Sequence, residues 1–524
     1  MRFIPLLAVT ALATAAASGA EEELVSCGDP PPNLVVFLVD DLGWQDVSVP
    51  MGPETTEFNR RYRTPNLERL AAEGVLFTDA YAACPVCTPT RTSLMTGRHP
   101  ARNHITYWTL HADRDTSARH PRLTNPTWRL TGLDEADTTL PKLLREAGYH
   151  TVHIGKAHFG AVGTPGADPV NLGFETNIAG HGPGGPGSYY GVHDFGAMKR
   201  DGKTGPSVWD VPGLDEFHGK EVYLTEVLAE KAAEEIRKAH EDGRPFYLNF
   251  APYAVHAPIM ANPRHLDHYE ELDHREAAYA TMIESVDAAL GSILAALEET
   301  GEAKDTIVVF ASDNGGLSAH ARGGTPHTHN APLRSGKGSA YEGGVRIPMV
   351  IAGPGCGLHA DGRRIATPVT TTDLFSTLLE FAGVTIPAEH AATLDAASIA
   401  GFLRDGQSAP PAADRGLAWH MPHFWGVNGP GIEPFSSWRR GNWKLLYFHD
   451  GPRVELYDLA SDLGETRDVM SVHPELVSEL LRELDAWMIA TGADLSIVTA
   501  TGKSVPRPAA YAAALEAVDS RQRD

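Results

Sequence analysis

Cysteine is scarce: the 524 residues hold only four, Cys27, Cys84, Cys87 and Cys356. That number excludes a disulfide scaffold. A single C-x-x-C pair, Cys84 and Cys87, also excludes zinc held between two such pairs. Cys84 reads as a small buried residue, and a Cys84–Cys356 bridge stays open. Positive charge is short as well, with 44 Lys and Arg against 67 Asp and Glu. The resulting net charge of −23 excludes nucleic acid as a partner. Beyond residue 20 no apolar run reaches transmembrane length, so no transmembrane segment is expected. Internal repeats are absent too.

What is present is ample material for a core: 42% hydrophobic and 21% charged residues. That is the balance of a globular chain. The length predicts one large domain and a smaller one. Residues 1–20 read as a secretory signal peptide: Arg2 is the positive start, residues 3–17 the apolar core, and Ser18-Gly19-Ala20 the small-residue cleavage site. Leu24-Val25-Ser26-Cys27 looks like a lipobox, but Glu21, Glu22 and Glu23 separate it from the apolar core. The expectation is therefore a secreted or periplasmic protein, in preference to a lipid anchor on Cys27.

Apolar strand-like runs alternate with helical patterns, the grammar of an α/β sheet. Strands are expected at 33–39, 150–154, 246–250, 306–311 and 347–352. Thr64-Pro65-Asn66 opens a helix with Thr64 as its cap, and 276–299 reads as a long amphipathic helix. Residues 160–215, rich in Gly and Pro, read as long functional loops. The expected domains are 30–390, then a subdomain at 391–495 with a small antiparallel sheet and a helix. The tail 496–524 is expected to be loosely attached. Four of the strands deliver polar residues just past their carboxyl ends, where open α/β sheets place their ligand sites.

Asp40-Asp41 and Asp313-Asn314 follow two of those strands. Such hard oxygen donors suit Ca²⁺ or Mg²⁺, not zinc. The run from Cys87 to Arg98, CTPTRTSLMTGR, fits C-x-P-x-R-x-x-L-x-T-G-R. It resembles the signature of the type I, formylglycine-dependent sulfatases, an arylsulfatase-like family of the alkaline phosphatase superfamily. Gly155-Lys156-Ala157-His158 resembles the family's G-K-x-H element, with Ala157 where tryptophan is common. His256 stands in an H-x-P element, and Lys337 in Pro332-Leu333-Arg334-Ser335-Gly336-Lys337, followed by Glu342-Gly343-Gly344, which resembles the family's P-L-x-x-x-K-x-x-x-x-E-G-G. Gly441 to Leu445 and Glu455 to Leu459 are similar to the closing sheet of sulfatases.

The resemblance implies a fold and a chemistry. The fold would be a large mixed, mostly parallel sheet sandwiched by helices, with a smaller C-terminal α+β subdomain. A separate maturation enzyme would oxidise Cys87 to formylglycine (3-oxoalanine), whose hydrate attacks the sulfur of a sulfate ester. Asp40, Asp41, Asp313, Asn314 and the matured Cys87 would hold Ca²⁺, with Mg²⁺ as the alternative. Arg91, Lys156 and Lys337 would hold the hydrate and the sulfate. His158 would serve as base and His256 would protonate the departing alkoxide. These cations would also answer the difficulty of bringing an anionic substrate to an acidic protein. The substrate is expected to be a sulfated saccharide. His181, His327, Trp108 and Arg439 are the candidate pocket residues, with His193, Arg322, His423 and Trp425 behind them. Two other readings stay open: a phosphonate or phosphate monoester hydrolase of the same superfamily, and a catalytically silent binder of sulfated glycans.

Overall fold

The computed structural model describes residues 31–198, 205–353, 355–358, 362–405 and 415–523. The expected signal peptide and Cys27 lie outside the described residues.

The main sheet has eight strands: β1 (Asn33–Val39), β2 (Val75–Phe77), β3 (His150–Gly155), β4 (Thr176–Ile178), β5 (Phe246–Ala251), β6 (Thr306–Ser312), β7 (Met349–Ala352) and β8 (Arg363–Ile365). Their order is β8-β2-β7-β6-β1-β5-β3-β4. Only β7 runs against its neighbours. The fold is alkaline phosphatase-like, as the resemblance implies. β1 shows why its sequence is a continuous apolar run. Val35, Phe37 and Val39 feed the core on one face, and Leu34, Val36 and Leu38 feed the core on the other. A strand covered on both sides needs apolar residues at every position.

Helices α1 (Pro65–Glu73), α3 (Leu224–Asp242) and α4 (His274–Thr300) cover the first face, and α2 (Cys87–Thr96) and α5 (Asp373–Phe381) cover the second. α4 is long and apolar enough to cross a membrane by length and composition, but here it packs into the core. Thr64 sits at the cap position of α1 without capping it: its hydroxyl accepts from the backbone N–H of Ser48 at 2.8 Å. The cap comes from Asp287 on α4, whose carboxylate accepts from the backbone N–H groups of Asn66 (3.1 Å) and Leu67 (2.9 Å).

The C-terminal unit is an antiparallel sheet of β9 (Leu417–Met421), β10 (Phe435–Arg440), β11 (Trp443–Phe448) and β12 (Arg453–Asp458), backed by α6 (Pro474–Thr491). It docks on the main domain through Trp419, Leu446 and Phe448, which meet Tyr81, Val86 and Tyr341. Lys444 ties the two together: it is buried between Glu342 (2.9 Å) and Glu465 (3.0 Å). The tail 496–524, expected to be loosely attached, is packed instead where it is described. Pro506 accepts a bond from the Tyr447 hydroxyl at 2.6 Å, Arg507 pairs with Asp485 at 2.8 Å, and α7 (Pro508–Arg523) lies against α6. Cys84 and Cys356 sit in different apolar clusters, and the bridge between them is not made.

Candidate active site

Strand register builds the floor of the site. β1 and β6 pair in parallel with Val39 opposite Ser312, so Asp40-Asp41 and Asp313-Asn314 leave the sheet side by side. The backbone N–H of Asp313 donates to the Val39 carbonyl at 3.0 Å, and that of Asp41 donates to the Asp313 carboxylate at 3.2 Å. On the other side of β1, Lys156 follows β3, and its N–H donates to Ala251 at the end of β5 at 2.7 Å. All of these lie at the carboxyl edge of the central strands. Asp41 and His158 both hold left-handed backbone, with φ of 60° and 55°. Such strain in non-glycine residues gathers where the chain aims a side chain for function.

Cys87 is the first residue of α2, and its thiol is buried. Lys337 Nζ lies 3.4 Å from Sγ, and Asp40 Oδ1 lies 3.8 Å from it. Each carboxylate has its own cation: Lys156 on Asp40 at 2.6 Å, Lys337 on Asp41 at 2.7 Å, and Arg91 on Asp313 at 2.8 Å. Arg91 also donates to the Lys156 carbonyl at 2.7 Å, which locks α2 to the β3 loop. Burial pushes the Asp40 carboxyl up to about 8, against the pull of Lys156, and neighbouring Asp313 and Asp41 push the same way. Burial also works against ionised Asp41 and Asp313, yet Lys337 beside the one and Arg91 beside the other hold both carboxyls below the usual carboxylate range. Burial raises the Cys87 thiol to about 11, although Lys156 and Lys337 oppose it.

The two histidines differ in which nitrogen is free. His158 Nε2–H donates to the Thr109 carbonyl at 2.9 Å, because a carbonyl can only accept, and this leaves Nδ1 buried with no partner. His256 Nδ1–H donates to the Ala257 carbonyl at 2.6 Å, and its Nε2 lies 3.9 Å from Asp41 Oδ2. Burial holds the His158 ring neutral, aided by Lys156; enclosure, then Lys337, lowers His256 to about 3. The Gly-rich loop explains itself here. A Cβ on Gly184 would stand 2.3 Å from the His158 ring, and one on Gly185 would stand 3.0 Å from His256. Glycine lets the loop close over both rings.

Above this floor opens a cavity of about 190 Å³. Asp41, Cys87, His158, His256 and Lys337 form its base, and Trp108, Trp209, Trp425, Leu317 and His320 form its walls. Trp108 and Trp425 were singled out from the sequence; Trp209 and His320 were not. The only signal for Trp209 is its place in the Gly- and Pro-rich stretch before residue 215.

Three pocket candidates stand elsewhere. The His181 ring packs edge-on against Tyr253, with centroids 6.1 Å apart, and only its carbonyl reaches the site, accepting from the His158 N–H at 3.2 Å. His327 turns its Nε2 to the Asn428 carbonyl at 3.1 Å, outside the cavity. Arg439 is buried against Asp79 at 2.7 Å and the Tyr81 hydroxyl, as part of the joint between the two units. Arg322, His193 and His423 are likewise taken up by Asp46 and Glu276, by Ser188, and by Thr106.

Asp40, Asp41 and the Cys87 sulfur lie close enough together to hold one ion. The amide oxygen of Asn314 is buried with no partner, while its Nδ2 donates to Asp41 at 2.8 Å. An orphaned hard acceptor beside three carboxylates fits a divalent cation such as Ca²⁺ or Mg²⁺.

Fixed cations interleaved with carboxylates, at the mouth of a doubly covered sheet, suit a hydrolase of anionic esters. The family model described as Sulfatase matches residues 32–384, and the chain belongs to that family, whose members hydrolyse sulfate esters. A sulfatase of Formosa agariphila is 28% identical, with 91% of this chain and 92% of the relative covered. The N-acetylgalactosamine-6-sulfatase of Homo sapiens is 32% identical over 75% of this chain and 72% of its own. Among solved structures, Ps i-CgsB, also crystallised with k-i-k-neocarrahexaose, superposes with a TM-score of 0.71 at 28% identity, over 88% of this chain and 93% of that one.

Proposed function

We propose that the protein removes sulfate from a sulfated saccharide, with Cys87 matured to 3-oxoalanine and a divalent ion, Ca²⁺ in preference to Mg²⁺, on Asp40, Asp41, Asp313 and Asn314. The observation that carries this reading is the placement of Cys87 Sγ between Lys337 and Asp40 on the cavity floor. The hydrated aldehyde would supply the nucleophile and the ion a Lewis acid and template. The chain's own residues do the rest. Lys337, Lys156 and Arg91 present fixed positive charge to the sulfate oxygens, in a site where water is excluded and the field is strong. His158 Nδ1, neutral and unpartnered, is a base with its lone pair free. His256 Nε2 is the atom from which a proton would pass to the departing alkoxide, and an anionic sulfate would favour the charged ring by opposing the field of Lys337.

Burial sets the order of events. With Cys87 only 3% exposed, a maturation enzyme would reach the thiol before folding, not after. Three tryptophans around the mouth suit the faces of a pyranose; the human relative is named for an N-acetylgalactosamine sulfate, and Ps i-CgsB was crystallised with a neocarrahexaose. Export to the periplasm or medium belongs to the same reading and rests on residues 1–20.

The test is sulfate release from sulfated galactosamine and carrageenan oligosaccharides by protein made together with a formylglycine-generating enzyme, alongside the intact mass of the Cys87 peptide. Cys87→Ala is expected to abolish release while melting and metal binding persist. Release at the wild-type rate from that variant would overturn the nucleophile. Hydrolysis of phosphate monoesters in place of sulfates would favour the phosphatase reading.

A further inference from the structure

A second cluster of donors lies on the outer side of α4. Residues Pro263–Tyr269 form a 3₁₀ helix, whose three-residue period sets positions i and i+3 one above the other. His265 and His268 therefore stack, with ring centroids 6.2 Å apart and planes 26° apart. Both turn Nδ1 to the same carboxylate, Glu284 on α4: His268 at 2.9 Å and His265 at 3.7 Å. Asn262, which caps the 3₁₀ helix, pins it to the same stretch of α4: its N–H donates to Thr281 and its Nδ2 to Ser285, each at 2.9 Å. Thr281 and Ser285 flank Glu284, so the three donors are held by packed elements and not by loop tips.

We propose that His265, His268 and Glu284 form a zinc site distinct from the oxygen-lined catalytic floor. The donor atoms all lie within 4.8 Å of one another. With zinc–ligand bonds of about 2.0–2.1 Å, a tetrahedral site needs ligand separations of about 3.3 Å. The two separations to Glu284, 2.9 and 3.7 Å, bracket that value, and the third, between the imidazole nitrogens, is within 4.8 Å, so side-chain rotations of both rings can bring the set to a tetrahedral edge. Two imidazoles and one carboxylate select zinc or a similar transition ion over calcium, which takes six to eight oxygens. His268 keeps a third of its side chain in solvent, leaving the fourth position to water. Arg63, 3.9 Å from Glu284 and mostly exposed, is a weak competitor that swings away readily. A bound ion would clamp the segment that leads out of the cavity, seven residues beyond His256, onto the longest core helix.

The experiment titrates zinc chloride into the matured, calcium-loaded protein, with bound zinc counted by mass spectrometry and the melting midpoint followed. One zinc per chain is expected. At a hundredfold excess over the dissociation constant the midpoint should rise by about 3 °C. His265→Ala and His268→Ala each lose the shift and keep sulfate release unchanged. Glu284→Gln, nearly isosteric, carries the same test should a histidine variant misfold. Equal zinc content and an equal shift in wild type and variants would place the ion elsewhere and overturn the assignment, as would no zinc retained by the wild type.

Discussion

Replacing Arg322 separates two roles that a sequence leaves equal: gripping substrate and holding the fold. Its guanidinium is fully buried between Asp46 (3.0 Å) and Glu276 (2.7 Å), donates to the Tyr62 hydroxyl and lies 3.9 Å from the centre of the Tyr279 ring. Arg322→Met keeps the bulk, leaves enclosed Asp46 without its cation and leaves Glu276 with Arg61 alone. Breaking a buried pair this way costs about 3–5 kcal/mol. The acid side gives the same scale. Burial alone would raise the Glu276 carboxyl, but Arg322, together with the Tyr62 hydroxyl and Arg61, outweighs burial and lowers it from 4.5 to about 2. That shift corresponds to about 3 kcal/mol of stability. The sign follows from the lowered folded value: the contribution is complete above about pH 4.5 and drains away as pH falls toward 2. A 524-residue chain unfolding with about 1 kcal/mol of entropy per kelvin should then melt about 3–5 °C lower at neutral pH. Calorimetry from pH 7 to pH 3 should show this drop together with a shallower acid decline in the variant, while kcat and KM of the folded fraction stay put. A wild-type melting curve with a raised KM would refute the reasoning and return Arg322 to the substrate.

Three further outcomes follow from the site. Lys337→Met removes the cation beside Cys87 and should lower kcat by about 10²–10³-fold in matured protein, the scale for one lost transition-state donor; sulfate-release kinetics check it. Asn314→Leu deletes the orphaned amide oxygen at constant size, and calcium titration calorimetry should show affinity weakened about 10- to 100-fold, the scale of a hydrogen bond to a charged group. Trp425→Ala should raise KM for a saccharide about 2- to 10-fold through lost ring stacking, with kcat for a small aryl sulfate unchanged.

The central strands were legible because burial on both faces writes itself as an unbroken apolar run, as in β1 and β6. The three-residue strands β2 and β8 are too short to show any period. For the same reason the register that sets Val39 opposite Ser312 was legible only through its consequence, two acidic pairs at two strand ends. Cationic side chains outside the motifs were the least legible. Arg439 meets Asp79 across 360 residues, and nothing local to Arg439 distinguishes that fate from a pocket wall. Thr64 has the right spacing for a cap, yet Asp287, 221 residues away from Asn66, does the work. The floor residues were legible because each lies in a short motif; the walls were not, because Trp209 comes from a loop whose course no periodicity encodes.

The charges on the floor carry one more consequence. With Asp40 ionised, as a bound divalent ion would keep it, Asp40, Asp41 and Asp313 are matched one to one by Lys156, Lys337 and Arg91, so the protein's own groups leave the floor neutral inside a chain of net −23. A neutral floor gives an anionic ester little reason to leave water. The divalent ion would supply the excess positive charge, whereas the sugar ring would be held by tryptophan faces that are indifferent to it. Sulfated and unsulfated forms of one saccharide should therefore bind the metal-loaded Cys87→Ala protein with different affinities, and a chelator should erase the difference by weakening the sulfated form alone. Calorimetry on the four combinations at about pH 9, where Asp40, pushed up to about 8, is ionised with or without the metal, decides it: a preference for the sulfated ligand that survives the chelator would mean that the lysines and Arg91 attract sulfate by themselves, against the one-to-one pairing seen here.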